Sequence, residues 1–343
     1  MDKKLEIKGL CVSFATPEGE VHALRGIDLS LYSGETLAIV GESGSGKSVT
    51  SKAILGILPP NAMVKGGEII YEGRDLLKNQ ERDFYGIRGN KIAMIFQDPM
   101  SSLDPIVKVG RQISEAVRVG RKKRIRRSEA RKIALKLMRD VGIPDAVRRF
   151  NQYPFEFSGG MRQRIVIAIA LAADADVLIC DEPTTALDVT IQAQILELIN
   201  RLKEERGLSV IFITHDLGVV ANMADRIAVV YAGKIVEYGT TEEIFYDARH
   251  PYTWALLSSM PDLDSSQRLE AIAGAPPSLL SLPRMDAFAP RNKYALNIDF
   301  EAEPPFFKIS ETHSAATWLL HPHAPKVEPP EKIKRMREWG RDG

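Results

Sequence analysis

Cysteine is scarce in this sequence, and long apolar runs are missing from it. Two cysteines, Cys11 and Cys180, occur in 343 residues, which excludes a disulfide framework. Both lie in apolar, strand-like stretches, so we expect buried thiols in a reducing compartment. The longest apolar run, residues 165–173, is too short to span a bilayer, and the charged N-terminus does not read as a signal peptide. Any role at a membrane is therefore expected to depend on a partner.

An excess of charge of one sign is also missing. The 46 Lys and Arg residues are balanced by 45 Asp and Glu residues, giving a formal net charge of +1. No global field therefore favours nucleic acid or a membrane surface, and we expect no nucleic-acid partner. The length exceeds the size at which one core usually divides, so we expect a large domain and a smaller one.

A glycine-rich stretch carries most of the functional information. Residues 41–48 match G-x-x-x-x-G-K-[ST], the loop that wraps the phosphates of ATP or GTP. An apolar run precedes it and a helical pattern follows it, which is the strand–loop–helix context that the motif requires. Backbone N–H groups and the helix N-terminus would bind phosphate oxygens, Lys47 would reach the β- and γ-phosphates, and Ser48 would ligate Mg²⁺. The predicted nucleotide-binding residues are Gly41, Ser43, Gly44, Ser45, Gly46, Lys47, Ser48 and Val49.

Another apolar strand, residues 177–180, ends in two carboxylates. In this class of sheet such a strand end lies beside the phosphate loop. Asp181 is therefore predicted to hold Mg²⁺, and Glu182 to polarise the attacking water as general base. Taken alone, an Asp-Glu pair would more often be a solvated turn; the phosphate loop upstream favours the catalytic interpretation.

A Ser-Gly-Gly sequence at residues 158–160 opens a further helix. A hydroxyl, free backbone N–H groups and the helix dipole together form a second anion site. Helix caps of this kind are common, so the motif is informative only through its place shortly before the Asp-Glu strand. Strands that alternate with helices along the chain predict a mostly parallel sheet covered on both faces.

These motifs, in this order, resemble the nucleotide-binding subunits of ATP-binding-cassette (ABC) transporters over roughly residues 5–250. The resemblance implies an α/β P-loop NTPase with a mostly parallel core sheet, an antiparallel β subdomain, a helical subdomain at about 98–165 and a small C-terminal extension. It assigns Ser158, Gly159 and Gly160 to the signature loop and Asp188 to the D-loop. Gln97 corresponds to the Q-loop glutamine and is a further expected metal ligand. His215 corresponds to the switch histidine, and Phe14 to the aromatic residue that stacks on adenine. Met161 replaces the usual signature glutamine, and a core phenylalanine remains an alternative for Phe14.

In this family each ATP lies between the phosphate loop of one cassette and the signature loop of another. The two anion sites in this chain agree with that arrangement, because one ATP has only one γ-phosphate. A second cassette is therefore an expected partner. The implied cycle is a clamp that ATP closes and hydrolysis reopens.

Further segments resemble the oligopeptide/dipeptide permease ATPases, among them 97–105, 153–164, 181–190, 250–253 and 274–277. The expected domains are the cassette at 1–250, the family's extension at 251–325 and a charged, frayed tail at 326–343. The resemblance favours the D-type subunit and implies an F-type ATPase partner, two transmembrane permease subunits and an extracellular peptide-binding protein. The chain would then sit on the cytoplasmic face of the membrane. Dipeptides, nickel or another small solute remain alternative cargoes, whereas an ABC ATPase acting on DNA or ribosomes is disfavoured by the extension.

Many family members carry four extension cysteines that look like iron–sulfur ligands. Here those positions are Asp286, Asn292, Asp299 and Thr317, so no cluster is expected. A hard cation on these oxygens is an alternative to simple hydrogen bonding. We expect His313, His321 and His323 at the surface rather than at a metal. The basic run 121–127 reads either as a solvated face or as a contact for anionic lipid.

Overall fold

The computed structural model describes residues 2–120, 125–173, 175–185, 187–260, 272–280 and 284–342. Most of the basic run 121–127 lies outside these residues. Contacts divide the chain into two compact units. Unit 1 comprises Met1–Lys4, Leu31–Glu35 and Leu77–Ile213, and unit 2 comprises Leu5–Ser30, Thr36–Leu76 and Thr214–Gly343. Within the described residues, no helix combines the length and the apolar character needed to cross a membrane.

The strands are β1 (Lys3–Thr16), β2 (Gly19–Tyr32), β3 (Thr36–Val40), β4 (Ala62–Tyr71), β5 (Arg74–Asp75), β6 (Ile92–Ile95), β7 (Val177–Asp181), β8 (Ser209–Thr214), β9 (Arg226–Tyr231), β10 (Lys234–Thr240), β11 (Phe307–Lys308) and β12 (Ser314–Ala315). The helices are α1 (Lys47–Ile54), α2 (Glu81–Phe84), α3 (Pro99–Ser102), α4 (Val109–Val119), α5 (Arg127–Asp140), α6 (Ala146–Arg149), α7 (Gly159–Ala170), α8 (Val189–Arg206), α9 (Leu217–Val220), α10 (Thr241–Tyr246), α11 (Pro251–Ser258) and α12 (Glu331–Asp342).

Unit 1 contains three parallel strands. β6 pairs with β7, and β7 pairs with β8, so that Cys180 lies opposite both Ile95 and Phe212. Every residue of β7 and β8 is buried. This agrees with their continuous apolar sequences, which are typical of parallel strands covered on both faces.

Helices make up most of the rest of unit 1. α4 packs against α5 and α7, and α5 also packs against α6 and α7. In α4 the buried pair Val109 and Gly110 is followed by buried Ile113 and Val117 at intervals of three or four residues, as the helical period requires.

Unit 2 contains an antiparallel sheet in the order β2–β1–β4–β5 and a second group of strands around β9. β3 runs parallel to β9, while β10 runs antiparallel to β9 and β12. The sequence predicts two short strands before residue 16, but β1 is continuous. The pairing of β1 with β4 shifts in register between Lys8 and Cys11, and this bulge, with Gly9 at a φ of 53°, accommodates the additional residues of β1.

The structure corrects three expectations, two of them in the C-terminal part of unit 2 and one at Cys11 of β1. Residues 331–342, in the tail expected to fray, form α12, in which Ile333 is completely buried. His313 is not at the surface: it is 1% exposed, and its Nε2 lies 2.9 Å from Oε1 of the fully buried Glu237. Cys11 is only half-buried, whereas Cys180 is buried and its burial raises the pKa of the thiol.

Candidate nucleotide-binding and catalytic site

Two glycines give the predicted phosphate loop its shape. Gly46 precedes α1 with a φ of 105°, and a Cβ there would lie 2.7 Å from the Ala23 carbonyl oxygen. A Cβ at Gly41 would lie 2.1 Å from the Val230 carbonyl oxygen. Only glycine allows both the left-handed turn and this close backbone approach. The result is a tight loop that opens onto the N-terminus of α1, as anion binding requires.

Lys47 is buried beneath that loop, at 4% exposure. Its Nζ donates hydrogen bonds of 2.8 Å to the carbonyl oxygens of Gly41 and Glu42. The loop thereby surrounds a positively charged ammonium group, which can bind a negatively charged phosphate. Ser43 and Gly44 are exposed, Ser45 is buried, and Ser48 and Val49 are half-buried.

The loop also has a contact that sequence reasoning missed. The guanidinium of Arg291, in the C-terminal part of the chain, binds both carboxylate oxygens of Glu42 at 2.6 and 2.9 Å. Pairing with Glu42 raises the pKa of Arg291. Because 249 residues separate the two, no local pattern could have marked them as a pair.

Glu182 is held by two side chains of its own unit. Nε2 of Gln97 donates to Oε2 of Glu182 at 3.2 Å, and the Thr185 hydroxyl donates to the same oxygen at 3.0 Å. The backbone of Glu182 has a φ of 47°, a left-handed conformation that non-glycine residues seldom adopt. Strain of this kind concentrates at functional positions. Asp181, directly before it, is 3% exposed at the end of β7.

The predicted signature loop lies at the start of α7. The Ser158 side chain accepts a hydrogen bond from the Met161 N–H, which caps the helix, and Ser158 and Gly159 are exposed. A Cβ at Gly160 would lie 2.6 Å from Cγ2 of Ile191 in α8, so packing against α8 requires glycine there. Asp188 caps α8 by accepting the Ile191 N–H at 3.0 Å.

The structure brings together some of the predicted residues and assigns others to the second unit. Gln97 and Glu182 meet in unit 1, where Gly160 of the signature sequence packs against α8 and Asp188 caps that helix. The phosphate loop, Phe14 and His215 belong to unit 2. Phe14 is half-buried on β1, and His215 is exposed directly after β8.

The four extension positions that stand in for cysteines all accept backbone hydrogen bonds. Asp286 accepts the Phe288 N–H, Asn292 the Tyr294 N–H, Asp299 the Leu296 N–H and Thr317 the Leu319 N–H. Burial raises the pKa of Asp286 to about 6 and also raises that of Asp299. Their oxygens thus cap local turns. Among the described residues, no group of three or more His, Cys, Asp or Glu side chains has the arrangement of a metal site.

A parallel sheet with a phosphate loop, an acidic strand end and a Ser-Gly-Gly helix start defines an ABC-type ATPase. Comparison with known proteins agrees. The family model described as ABC transporter matches residues 24–185, and the one described as oligopeptide/dipeptide transporter, C-terminal region, matches residues 236–298.

Relatives that match along nearly their whole length identify the transporter family to which the chain belongs. The chain is 60% identical to an oligopeptide transport ATP-binding protein of Bacillus subtilis (strain 168) over 97% of this chain and 94% of the relative. It is 57% identical to a dipeptide transport ATP-binding protein of Lactococcus lactis subsp. cremoris (strain MG1363) over 98% and 97% of the two chains. The chain therefore belongs to the family of ATP-binding subunits of oligopeptide/dipeptide ABC transporters, and the resemblance read from the sequence is confirmed.

Solved structures confirm the predicted fold class. A dimeric ATP-binding cassette in a post-hydrolysis state with ADP and Pi matches with a TM-score of 0.63 at 27% identity, covering 69% of this chain and 98% of that one. The protein is thus an ATP-binding cassette ATPase with a C-terminal region of the oligopeptide/dipeptide type.

Proposed function

We propose that this chain is the D-type ATPase subunit of an importer that takes up oligopeptides. The full-length relatives support this, since the Bacillus subtilis protein is named for oligopeptide transport and shares 60% of its residues. The match of residues 236–298 to the transporter family's C-terminal region supports it further.

The chemistry is assigned to Glu182, and its contact with Gln97 is the observation that carries the assignment. Two donors hold the carboxylate in one place, 3.2 Å from the Gln97 amide and 3.0 Å from the Thr185 hydroxyl. A positioned carboxylate can accept the proton of an attacking water while the water oxygen bonds to the γ-phosphorus and the bond from that phosphorus to the β,γ-bridging oxygen breaks, releasing ADP. His215 is assigned to orient that water and contact the γ-phosphate, as the switch histidine of the family does.

Nucleotide binding is assigned to the phosphate loop. The buried ammonium of Lys47 and the tight backbone at Gly41 and Gly46 suit the β- and γ-phosphates. Phe14 would stack on adenine. Mg²⁺ prefers oxygen ligands, and Ser48, Asp181 and Gln97 each offer one. When bound, Mg²⁺ would neutralise charge on the phosphates.

A second cassette completes the proposed site. The exposed N-terminus of α7, with Ser158, Gly159 and Gly160, would contact the nucleotide held by a partner's phosphate loop, and Asp188 would lie beside that contact. The likeness to a dimeric cassette supports this proposal. The proposed partner is an F-type ATPase, together with two transmembrane permease subunits and an extracellular peptide-binding protein. The permease subunits would hold the chain on the cytoplasmic face of the membrane.

Dipeptides are the second candidate cargo, because a relative named for dipeptide transport is 57% identical over 98% of this chain. Nickel or another small solute is a further alternative, because cargo selection lies in the binding protein and the membrane subunits.

The test is uptake in cells that carry either the wild type or Glu182→Gln. Labelled oligopeptide, labelled dipeptide and nickel would be measured in parallel, with protein levels and membrane association checked by blotting. Loss of oligopeptide uptake is the expected result. Loss restricted to dipeptide or nickel would move the chain to that cargo, and unchanged uptake of all three would overturn the transport proposal.

A further inference from the structure

The C-terminal region holds the phosphate loop through a partly buried ion pair. Arg291 and Glu42 make two hydrogen bonds, of 2.6 and 2.9 Å, in parallel. The Arg291 side chain is only 5% exposed, and that of Glu42 is 24% exposed. A bidentate, largely desolvated pair of this kind fixes both position and orientation, unlike an exposed pair.

Aromatic residues hold this pair from both sides. The Tyr252 hydroxyl accepts a 2.8 Å hydrogen bond from the backbone N–H of Glu42, and the Tyr231 hydroxyl accepts one of 3.1 Å from Arg291. The ring centroids of Tyr231 and Tyr252 are 4.6 Å apart, and each lies 5.3 Å from that of Phe288, which directly precedes the turn carrying Arg291. We call Glu42, Tyr231, Tyr252, Phe288 and Arg291 the loop clamp.

Glu42 of the loop clamp is also a hydrogen-bond acceptor for the buried Lys47. The carbonyl oxygen of Glu42 accepts a hydrogen bond from Nζ of Lys47, as does the carbonyl oxygen of its neighbour Gly41. A shift of Glu42 would therefore move the ammonium that meets the phosphates.

The clamp also has an electrostatic consequence. A carboxylate in a phosphate-binding loop repels a triphosphate, and the repulsion is strong where water is partly excluded. Arg291 neutralises the Glu42 carboxylate and binds both of its oxygens. Without Arg291, the loop would hold an uncompensated negative charge near its ligand.

We propose that Arg291 is a positioning residue for nucleotide binding, acting through Glu42, so that the C-terminal region sets the ATP affinity of the cassette. The proposal rests on the proposed role of residues 41–48 in binding ATP. It gives the extension a task in the ATPase cycle that does not require a metal cluster.

A double-mutant cycle on the purified full-length protein tests it. ATP affinity would be measured by calorimetry for the wild type, Arg291→Ala, Glu42→Gln and the double variant. Amide hydrogen exchange of residues 41–48 would be followed without nucleotide. Arg291→Ala is expected to raise the Kd for ATP roughly tenfold and to speed exchange in the loop. In the Glu42→Gln background the same change should have at most about a twofold effect on Kd, because the charge that Arg291 compensates is gone.

Controls separate the clamp from general folding. Arg249→Ala removes an arginine of the same region whose Nη2 pairs with Asp247 at 2.7 Å, and it should leave both readouts unchanged. Arg291→Lys keeps the charge but loses the bidentate geometry, so it should restore part of the affinity. Far-ultraviolet circular dichroism would establish that each variant is folded.

The outcomes are distinct. An equal loss of affinity for Arg291→Ala in both backgrounds would overturn the proposal, since Arg291 would not then act through Glu42. Unchanged affinity and loop exchange in Arg291→Ala would overturn it as well. A wild-type protein that binds no ATP would overturn the proposed function itself, and the exchange data would still show whether Arg291 orders the loop.

Discussion

The amide of Gln97 donates a hydrogen bond of 3.2 Å to the carboxylate of Glu182, across 85 residues of sequence. The contact links Gln97, two residues beyond the end of β6, with Glu182, directly after the end of β7, because these parallel strands are neighbours and end at the same edge. Glu182 thus has a fixed orientation before any substrate is considered.

Glu182→Gln tests the general base. The glutamine keeps the volume and can still bond to Gln97 and Thr185, but it cannot take a proton from water. We expect ATP hydrolysis by the assembled transporter to fall about 10²–10⁴-fold with ATP binding retained, and closed ATP-bound dimers to accumulate. Steady-state hydrolysis and size-exclusion chromatography with ATP would measure this. Glu205→Gln, on the exposed face of α8, is the matched control. Normal turnover in Glu182→Gln would remove that residue from the role of base.

Gly46→Ala tests the geometry of the phosphate loop. The added Cβ would lie 2.7 Å from the Ala23 carbonyl oxygen at a φ of 105°, so the loop must shift. We expect ATP affinity to fall at least about tenfold, measured by calorimetry. Gly207→Ala is matched in backbone, with a φ of 63°, but its Cβ meets nothing within 4 Å, so affinity should be kept. Equal affinities in the two variants would contradict this account of the loop.

Burial of His250 is expected to make the free energy of unfolding fall at acid pH. It is 1% exposed, its Nδ1 accepts the Tyr252 N–H, and burial lowers its pKa from 6.5 to about 3. Between these values the unfolded chain binds a proton that the folded chain does not. The contribution of neutral His250 to the free energy of unfolding is therefore fully present above pH 6.5, and it is lost as the pH falls towards 3. His250→Asn keeps a capping oxygen, so between pH 7 and pH 5 it should lose roughly 1–2 kcal/mol less free energy of unfolding than the wild type.

Urea titrations at several pH values would measure this difference. His323→Asn, at an exposed histidine, should follow the wild type. Parallel pH profiles for wild type and His250→Asn would show that His250 titrates normally.

Asp286 should have the opposite pH dependence. Burial raises its pKa from 3.8 to about 6, so between these values the folded chain holds a proton that the unfolded chain has released. The free energy of unfolding therefore falls as the pH rises from 3.8 to about 6, and the destabilisation by the buried Asp286 carboxylate is complete above pH 6. Asp286→Asn can still accept the Phe288 N–H without a charge. We expect a gain of roughly 1–3 kcal/mol in free energy of unfolding at pH 8, vanishing near pH 4.

Denaturant melts at pH 4 and pH 8 would check the Asp286 prediction, with the exposed Glu301→Gln as control. A gain of the same size at both pH values would exclude titration of Asp286 as its cause.

Local sequence alone determined the family and several of the elements. The phosphate loop, the Asp-Glu strand end and the Ser-Gly-Gly helix start are short patterns whose chemistry depends on neighbouring residues, so they could be predicted without long-range information. The buried strand β7 begins at Val177, as predicted, and ends at Asp181, one residue beyond the predicted end.

Contacts between distant segments were decided only by the tertiary structure. Arg291 with Glu42, and His313 with Glu237, join residues 249 and 76 positions apart. Nothing in the local sequence identifies either residue of these pairs as the partner of the other. The charged composition of the tail predicts fraying, yet its residues 331–342 form a helix that buries Ile333. Side chains become partners across such separations only when the folded backbone brings them together and removes water from around them, and a reading of local pattern does not contain that information.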